Sequence, residues 1–302
     1  MKTNEKCLIV AHDAGGAEIL ASYVVQNNLA CLFVLAGPAV KVFQRKIPEL
    51  EVCGLEQGIE QASWLLCGTS WQSNLEWDAI KLAKLRQIEV VAFLDHWVNY
   101  QERFERDGIM HLPDQLWVAD VDAEVIARSC MIFSGIPIKV VDNPYLQEVK
   151  LQIKALENSV KKKSDQAVIL FVSENISGHA LLKYGDKNFF GYTEFDALDL
   201  LLKNLPIASS KTVEKLIIRA HPSDGAGKYN DYQNTFPELI QISQKTTLLE
   251  DIFQADIVAG CESMALVVAL AANKKVISCI PADIKIRLPH AQIQRLRHGM
   301  LE

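Results

Sequence analysis

The chain has 302 residues, of which 49% are hydrophobic and 23% are charged. This is the composition of an ordinary globular protein, and the length suits two domains of about 150 residues each. The formal net charge of -6 argues against a nucleic-acid partner, which would require a basic surface.

The sequence predicts neither a signal peptide nor a membrane span. The N-terminal apolar run is interrupted by His12 and Asp13, so it is too short for a signal peptide. The run Met264–Ala272 falls well below the roughly 20 apolar residues that cross a bilayer. The seven cysteines form no CxxC pair, which suits buried thiols in a reducing compartment. We therefore expect a cytoplasmic protein.

Apolar strand-like runs alternate with helix-like segments through the first half of the chain. Helices are predicted between the strands, as at Ala17–Gln26, Asn74–Gln87 and Val121–Cys130. The predicted strands are residues 7–11, 30–36, 63–68, 89–94, 115–120 and 138–142. This alternation predicts a parallel, doubly wound sheet covered on both faces, which is a Rossmann-like domain.

A second alternation of the same kind follows a polar joint, Lys161–Asp165. The joint comes after a helix predicted over Leu146–Val160, so we expect domains over residues 1–160 and 161–302. The segment Pro289–Gly299 is predicted to be a basic helix. The strands predicted for the second domain are residues 167–173, 215–220, 239–243, 256–260 and 275–280.

Candidate functional residues of the first domain follow its first and fourth strands. His12, Asp13, Gly15 and Gly16 stand where ligands bind in α/β sheets, but the GxGxxG spacing of dinucleotide sites is lacking. Either His12 or Asp13 could accept a proton, and the alternative is a tight turn in which Asp13 caps the helix. The loop after the fourth strand contains Asp95, His96, Trp97 and Arg103. These residues either line a cleft, with polar contacts and aromatic surface, or form a buried aromatic cluster.

The most informative segment of the second domain is Leu248–Pro281. A short apolar strand runs into the loop Gly-Cys-Glu-Ser, and Ser263 then opens an Ala-rich helix. The free N–H groups of that helix can hold a phosphate oxygen, although the Ser263 hydroxyl can instead be committed to capping. The segment predicts a site for a nucleotide phosphate.

Together with Ile217–Asp224 (IIRAHPSD), this segment resembles the donor half of GT-B glycosyltransferases. The likeness is to bacterial capsule and sialyl- or Kdo-type transferases, which have an His-Pro motif and a downstream serine motif, and it covers roughly residues 165 to 282. It implies two Rossmann-like domains whose parallel sheets face a central cleft, with a terminal helix that crosses back. It also implies a CMP- or UDP-type sugar donor, a cell-surface glycan or lipid-linked acceptor, and no metal or other cofactor.

The resemblance also implies roles for individual residues. His221 would contact the nucleotide phosphate and assist the leaving group, and Asp13 would be the base, with Asp95 or His96 in reserve. The expected nucleotide contacts are Ser173, Asn175, Arg219, His221, Pro222, Glu262 and Ser263. The expected acceptor-side contacts are His12, Gly15, Gly16, Trp97 and Arg103.

Two alternatives remain open at this point. One is a nucleotide-sugar hydrolase or 2-epimerase of the same fold, which uses carboxylates and a histidine near the diphosphate. The single glycine in the loop 260–263 favours the transferase over the epimerase. The other alternative is a non-catalytic nucleotide-binding subunit, against which the presence of Asp13, His221 and Ser263 argues.

Overall fold

The computed structural model describes residues 6–71, 73–159, 165–281 and 284–302. The chain divides into two compact units, Met1–Glu148 and Val149–Glu302. The expected polar joint, apart from Asp165, lies outside the described residues. The domain boundary at residue 160 therefore stays a prediction, as does the arrangement of the two sheets about a cleft.

The first unit is an α/β unit with a parallel sheet, as the sequence predicts. Its strands are β1 (Cys7–Ala11), β2 (Cys31–Leu35), β3 (Trp64–Cys67), β4 (Glu89–Leu94), β5 (Glu105–Arg106), β6 (Ile109–Met110), β7 (Gln115–Val118) and β8 (Ile138–Val140). Its helices are α1 (Ala14–Asn27), α2 (Pro38–Lys46), α3 (Leu55–Gln61), α4 (Leu75–Leu85), α5 (Val121–Ser129) and α6 (Pro144–Ser159), and α6 continues into the second unit.

The order of the first sheet explains where its ligand site should lie. The strands run β2-β1-β3-β4-β7-β8, all parallel, while β5 and β6 form a separate hairpin. Strand β1 is fully buried, because helices cover both faces of the sheet. The chain moves outward from β1 to β2 and then returns to β3 on the other side. The topological switch point, where ligands bind in such sheets, therefore lies between β1 and β3.

The second unit repeats this architecture. Its strands are β9 (Ala167–Val172), β10 (Val213–Arg219), β11 (Ile240–Ile242), β12 (Ile257–Gly260), β13 (Lys275–Ser278), β14 (Ile293–Arg297) and β15 (Met300–Leu301). Its helices are α7 (Ile176–Tyr184), α8 (Glu194–Lys203), α9 (Leu205–Ala208), α10 (Asn230–Thr235), α11 (Leu248–Gln254) and α12 (Met264–Ala271). The sheet order is β11-β10-β9-β12-β13-β14-β15, which puts the switch point between β9 and β12.

The predicted basic helix over Pro289–Gly299 is wrong. The segment contains β14, which pairs in parallel with β13, and a turn at Gly299 that leads into the antiparallel strand β15. Pairing satisfies the backbone groups at the edge of β13, and Ile293 and Leu296 are buried, so tertiary contacts override the local helical pattern. Gly299 has a φ of +81°, a left-handed conformation that glycine adopts without a Cβ clash. The expectation of a terminal helix that crosses back to the first domain is therefore wrong as well.

No helix in the described part of the chain combines the length and the apolar character needed to cross a membrane.

Candidate functional site

The switch point of the first unit brings together the loops after β1 and β3. The His12 backbone N–H donates to Glu76 Oε1 at 2.8 Å, and His12 Nδ1 lies 2.8 Å from Asp13 Oδ1. A Cβ added to Gly68 would lie 3.5 Å from Glu76 Oε1, and one added to Gly16 would lie 3.7 Å from the Gly68 Cα. The two loops thus approach closely around the Glu76 carboxylate, which enters from the first turn of α4.

Glu76 is a carboxylate that the sequence analysis did not identify. The residue is only 2% exposed, and its Oε2 has no hydrogen-bond partner among the described residues. Desolvation by burial raises the pKa of Glu76 to about 7, and the nearby Asp13 charge adds to this effect. A carboxyl group at this switch point therefore changes protonation state near neutral pH.

Asp95 and Arg103 form an ion pair beside the start of α1. Arg103 Nη1 donates to Asp95 Oδ1 at 2.6 Å and to the carbonyl and hydroxyl oxygens of Thr69 at 2.9 and 3.0 Å. Asp95 Oδ2 would lie 2.9 Å from a Cβ added to Gly15, so the carboxylate can approach α1 here because Gly15 has no side chain. The structure therefore brings the predicted residues Gly15, Asp95 and Arg103 together.

Asp13 stands at the N-cap of α1, but its side chain makes no capping hydrogen bond. Its carboxylate contacts the His12 imidazole instead. The capping role considered from the sequence is therefore not the one seen, and His12 with Asp13 forms a polar pair that is about one-quarter to one-third exposed.

Trp97 is packed into the interior rather than lining an open surface. It is 3% exposed, and its indole N–H donates to the Asp120 carboxylate oxygens at 3.0 and 3.1 Å. His96 Nδ1 accepts a hydrogen bond from the Trp97 backbone N–H at 3.0 Å. These contacts match the buried aromatic cluster that the sequence analysis left open, and a role for Trp97 toward an acceptor stays a prediction.

The switch point of the second unit brings together the loops after β9 and β12. Ser263 is the N-cap of α12, and its hydroxyl accepts the Ala265 N–H at 3.2 Å. The Glu262 backbone N–H donates to Glu174 Oε1 at 2.7 Å. The Glu174 carboxylate therefore lies at the N-terminus of α12, where a negative charge interacts favourably with the positive end of the helix dipole.

The Glu262 carboxylate is bound by Arg287, a residue that no sequence motif indicated. Arg287 Nε donates to Glu262 Oε1 at 2.7 Å, the Arg287 backbone N–H donates to Oε2 at 3.0 Å, and Nη2 also contacts Oε1. Both carboxylate oxygens are thus committed within the protein, and the expected contact of Glu262 with a ribose hydroxyl stays a prediction.

Glu174 is the second carboxylate with a strongly shifted pKa. Desolvation raises the pKa of Glu174 to about 7, even though the Glu262 and Ser263 backbone N–H groups favour its charged form. The adjacent Glu262 charge raises it as well, and Arg287 opposes the shift. In the sequence, Glu174 stands between the candidate residues Ser173 and Asn175, but no sequence pattern indicates where its side chain points.

His221 follows β10 and belongs to a polar cluster with the loop after β9. Its backbone N–H donates to Asp224 Oδ2 at 2.8 Å, and its Nδ1 lies 2.7 Å from Ser223 Oγ. Ser223 Oγ also accepts from Asn175 Nδ2 at 3.0 Å, so the structure brings the predicted Asn175 and His221 together. Although His221 is exposed as a residue, desolvation by the surrounding loop lowers the pKa of its imidazole.

The remaining predicted residues of this unit have different surroundings. Ser173 is 6% exposed, and its hydroxyl makes a short contact with the buried Tyr229 hydroxyl. Arg219 donates to Asp251 Oδ2 at 2.7 Å and to the Thr246 carbonyl at 2.9 Å, which ties β10 to α11. Pro222 is exposed beside His221.

No group of three or more His, Cys, Asp or Glu residues in the described ranges has the geometry of a metal site.

No known protein family and no curated protein matches the sequence. Among solved structures, the chain is similar to a protein assigned as a UDP-N-acetylglucosamine 2-epimerase from Listeria monocytogenes, with 13% identity, a TM-score of 0.57 and coverage of 90% of this chain and 78% of that one. The fold is GT-B-like.

Two further solved structures are also similar. The wall teichoic acid polymerase TagF has 14% identity and a TM-score of 0.44, with coverage of 91% of this chain and 70% of that one. A UDP-glucosyltransferase from Polygonum tinctorium that glucosylates indoxyl has 11% identity and a TM-score of 0.47, with coverage of 92% and 80%. The parallel sheets of the two units and the similarity to the Listeria protein confirm the α/β fold that the sequence predicts.

Proposed function

We propose that the protein transfers a sugar from a CMP- or UDP-type nucleotide donor to a glycan or lipid-linked acceptor, without a metal. The observation that carries the proposal is the switch point between β9 and β12. There the capped N-terminus of α12 adjoins the loop after β9, in which Glu174 accepts the Glu262 N–H and Asn175 donates to Ser223 beside His221. Helix N-termini at such points bind phosphate groups in α/β proteins.

The donor phosphate would bind at the first turn of α12. Just before the helix, the Glu262 N–H already donates to a carboxylate oxygen of Glu174, so an anionic oxygen can bind at this position. Ser263 would contribute its hydroxyl or the neighbouring N–H groups. A single charge-assisted contact of this kind is worth about 1.5–3 kcal/mol.

His221 would act on the leaving phosphate as a neutral hydrogen-bond donor. The Ser223 backbone N–H donates to His221 Nδ1 at 3.2 Å, which assigns the imidazole proton to Nε2. Because desolvation lowers the pKa of His221, the neutral form is favoured at neutral pH. An Nε2–H directed at a phosphate oxygen stabilises the charge that develops there as the sugar leaves.

In the first unit, Asp13 is the preferred base for the acceptor hydroxyl. The Asp95 carboxylate is engaged by Arg103 Nη1 at 2.6 Å, which leaves it less available to contact an acceptor hydroxyl. The Asp13 carboxylate contacts the His12 imidazole, and the Glu76 carboxylate accepts a hydrogen bond from the His12 backbone N–H. Asp95 and His96 remain the reserve candidates.

A second candidate function is a nucleotide-sugar 2-epimerase or hydrolase. The observation that favours it is the pair of carboxylates, Glu174 and Glu262, at the N-terminus of α12, since enzymes of that kind place carboxylates near the diphosphate. The structurally similar Listeria protein is assigned this activity, and the likeness at 13% identity concerns the fold alone.

One experiment separates these functions. The purified chain is incubated with UDP- and CMP-linked sugars, and the products are followed by mass spectrometry and NMR. Release of nucleotide that increases with an added glycan supports transfer, and isomerised sugar that stays linked to the nucleotide supports the epimerase. A chain that binds no nucleotide and turns over no donor would refute both candidates.

The placement of the phosphate is tested with matched cap variants. Ser263→Ala and Thr247→Ala each remove a side-chain N-cap in the second unit, from α12 and α11 respectively. Each should lower stability by about 1 kcal/mol. Only Ser263→Ala should also weaken nucleotide binding in calorimetry, by roughly ten-fold or more. Equal nucleotide affinity in the two variants would contradict the placement at α12.

A further inference from the structure

The second unit exposes a compact apolar surface at the end of α7 and in the loop after it. We refer to Leu181, Leu182, Tyr184 and Phe189 as the α7 patch. Leu182 is 89% exposed, and the other three side chains are 41–56% exposed. Exposed apolar side chains that occur singly are ordinary, but four within residues 181–189, two of them in ring contact, indicate an interaction surface.

The α7 patch is held in place by ring contacts. The Tyr184 and Phe189 rings stack with centroids 3.7 Å apart, and both meet the edge or face of Phe190, at 5.7 and 5.4 Å. Phe190 in turn packs against the core of the second unit. The apolar side chains are therefore presented by a fixed base.

The charges around the α7 patch are mainly positive. Lys183 lies with its Nζ 5.3 Å from the Tyr184 ring centroid, and Lys187 lies in the same loop. Asp186 is the acidic residue of the loop, in a chain whose formal net charge is -6. The patch is thus locally cationic on an acidic protein.

A second exposed apolar surface offers a contrast. On α5, Val121 is 66% exposed and Val125 is 62% exposed. Their neighbours on the helix are Asp122 and Glu124, which the first turn of α5 carries. The exposed apolar side chains of α5 therefore have carboxylates beside them, whereas those of the α7 patch have lysines.

We propose that the α7 patch binds the surface of an anionic lipid bilayer. Leu182 projects almost fully into solvent. A projecting apolar side chain can insert into a lipid interface, which deforms around it and does not have to offer a matching pocket. The lysines around it would contact the anionic headgroups, while leucine and aromatic side chains enter the boundary of the acyl chains. The patch lies outside the proposed donor and acceptor residues, so the inference does not depend on the proposed function.

The test is co-sedimentation of the full chain with phosphatidylcholine vesicles, with and without phosphatidylglycerol. Binding should require phosphatidylglycerol and weaken as salt is added, because salt screens the lysine contacts. Leu182→Glu should weaken binding by about ten-fold or more, since it removes a leucine side chain from the interface. Lys187→Gln should weaken it by about five-fold, the effect of one basic residue near an anionic surface.

Val125→Glu is the matched control, because it also places a glutamate at an exposed apolar position on a helix. It should leave vesicle binding unchanged. The proposal is overturned if the parent chain does not sediment with anionic vesicles, or if Val125→Glu reduces binding as much as Leu182→Glu. It is also overturned if Leu182→Glu dissociates an oligomer in light scattering and has no effect on vesicles, since the patch would then contact a second copy.

Discussion

Replacement of Glu76 by glutamine should change how the stability of the first unit depends on pH. In the folded protein the Glu76 carboxyl is 2% exposed, and burial raises its pKa from 4.5 to about 7. Each pKa unit corresponds to about 1.4 kcal/mol, so ionising Glu76 costs about 3 kcal/mol more in the folded chain than in the unfolded chain. Glutamine carries no charge at any pH and does not incur this cost.

The sign follows from proton binding. Between pH 4.5 and about 7 the folded chain retains a proton on Glu76 that the unfolded chain has lost. The free energy of unfolding of the parent protein therefore falls as pH rises through this window, and above it the loss is complete. Relative to the parent, Glu76→Gln should become more stable by about 3 kcal/mol over the same window. The new amide group lacks a partner at the Oε2 position, which adds a destabilising contribution that does not vary with pH.

Urea unfolding followed by tryptophan fluorescence measures this effect selectively. The five tryptophans, Trp64, Trp71, Trp77, Trp97 and Trp117, all lie in the first unit, so fluorescence reports its unfolding. Glu89→Gln serves as the control, because Glu89 is exposed at the start of β4. If the stability difference between Glu76→Gln and the parent is the same at both ends of the pH window, the assigned shift in the Glu76 pKa is wrong.

Two further substitutions test the contacts at each switch point. Gly15→Ala should destabilise the first unit by about 1–3 kcal/mol, because the new Cβ would lie 2.9 Å from Oδ2 of Asp95, which is ion-paired with Arg103. Gly54→Ala is the control: its new Cβ would have no atom within 4 Å, so the urea midpoint should change little. Arg287→Ala should destabilise the second unit by about 1–3 kcal/mol, because it leaves the buried Glu262 carboxylate without its guanidinium partner. Circular dichroism during urea unfolding measures the latter, and an unchanged midpoint would contradict the importance of that ion pair.

The sequence predicted the sheets well because their strands are short, continuous apolar runs. In β1 and β12 every residue is buried, and such runs between helices leave few other folds possible. The error at Pro289–Gly299 arose where the apolar residues Ile293 and Leu296 are spaced three apart, a spacing that suits a helix. Pairing with the edge of β13 decided the structure there, and no local pattern reports such pairing.

The candidate sites were predictable in position but not in their contacts. Residues that follow parallel strands meet at one edge of a sheet, which is why Asn175 and His221 were found together. Arg287 lies 25 residues from Glu262, in a loop without a recognisable motif. The direction of the Glu76 and Glu174 side chains depends on how loops approach each other in space, and this information is not contained in the spacing of residue types.

The position of Glu174 leads to a final prediction that concerns nucleotide binding. Its carboxylate accepts the Glu262 N–H at the N-terminus of α12, the position proposed for the donor phosphate. A phosphate that binds there must displace this carboxylate or lie beside it, and two like charges about 4 Å apart repel by up to about 4 kcal/mol near a protein surface. Glu174→Gln removes the charge and should tighten UDP or CMP binding by about ten-fold above neutral pH.

The pH dependence distinguishes this mechanism from a general change in the site. Burial raises the pKa of Glu174 to about 7, so the parent protein carries a neutral carboxyl below that pH and should there bind nucleotide nearly as well as the variant. Calorimetry at about one pH unit on either side of 7 measures the ratio of the two affinities, in which the titration of the nucleotide phosphate cancels. Glu250→Gln, at an exposed residue in the first turn of α11, is the control and should bind like the parent. A ratio that does not change with pH would show that the Glu174 charge does not oppose the nucleotide. The absence of nucleotide binding in all three proteins would instead remove the phosphate site from α12.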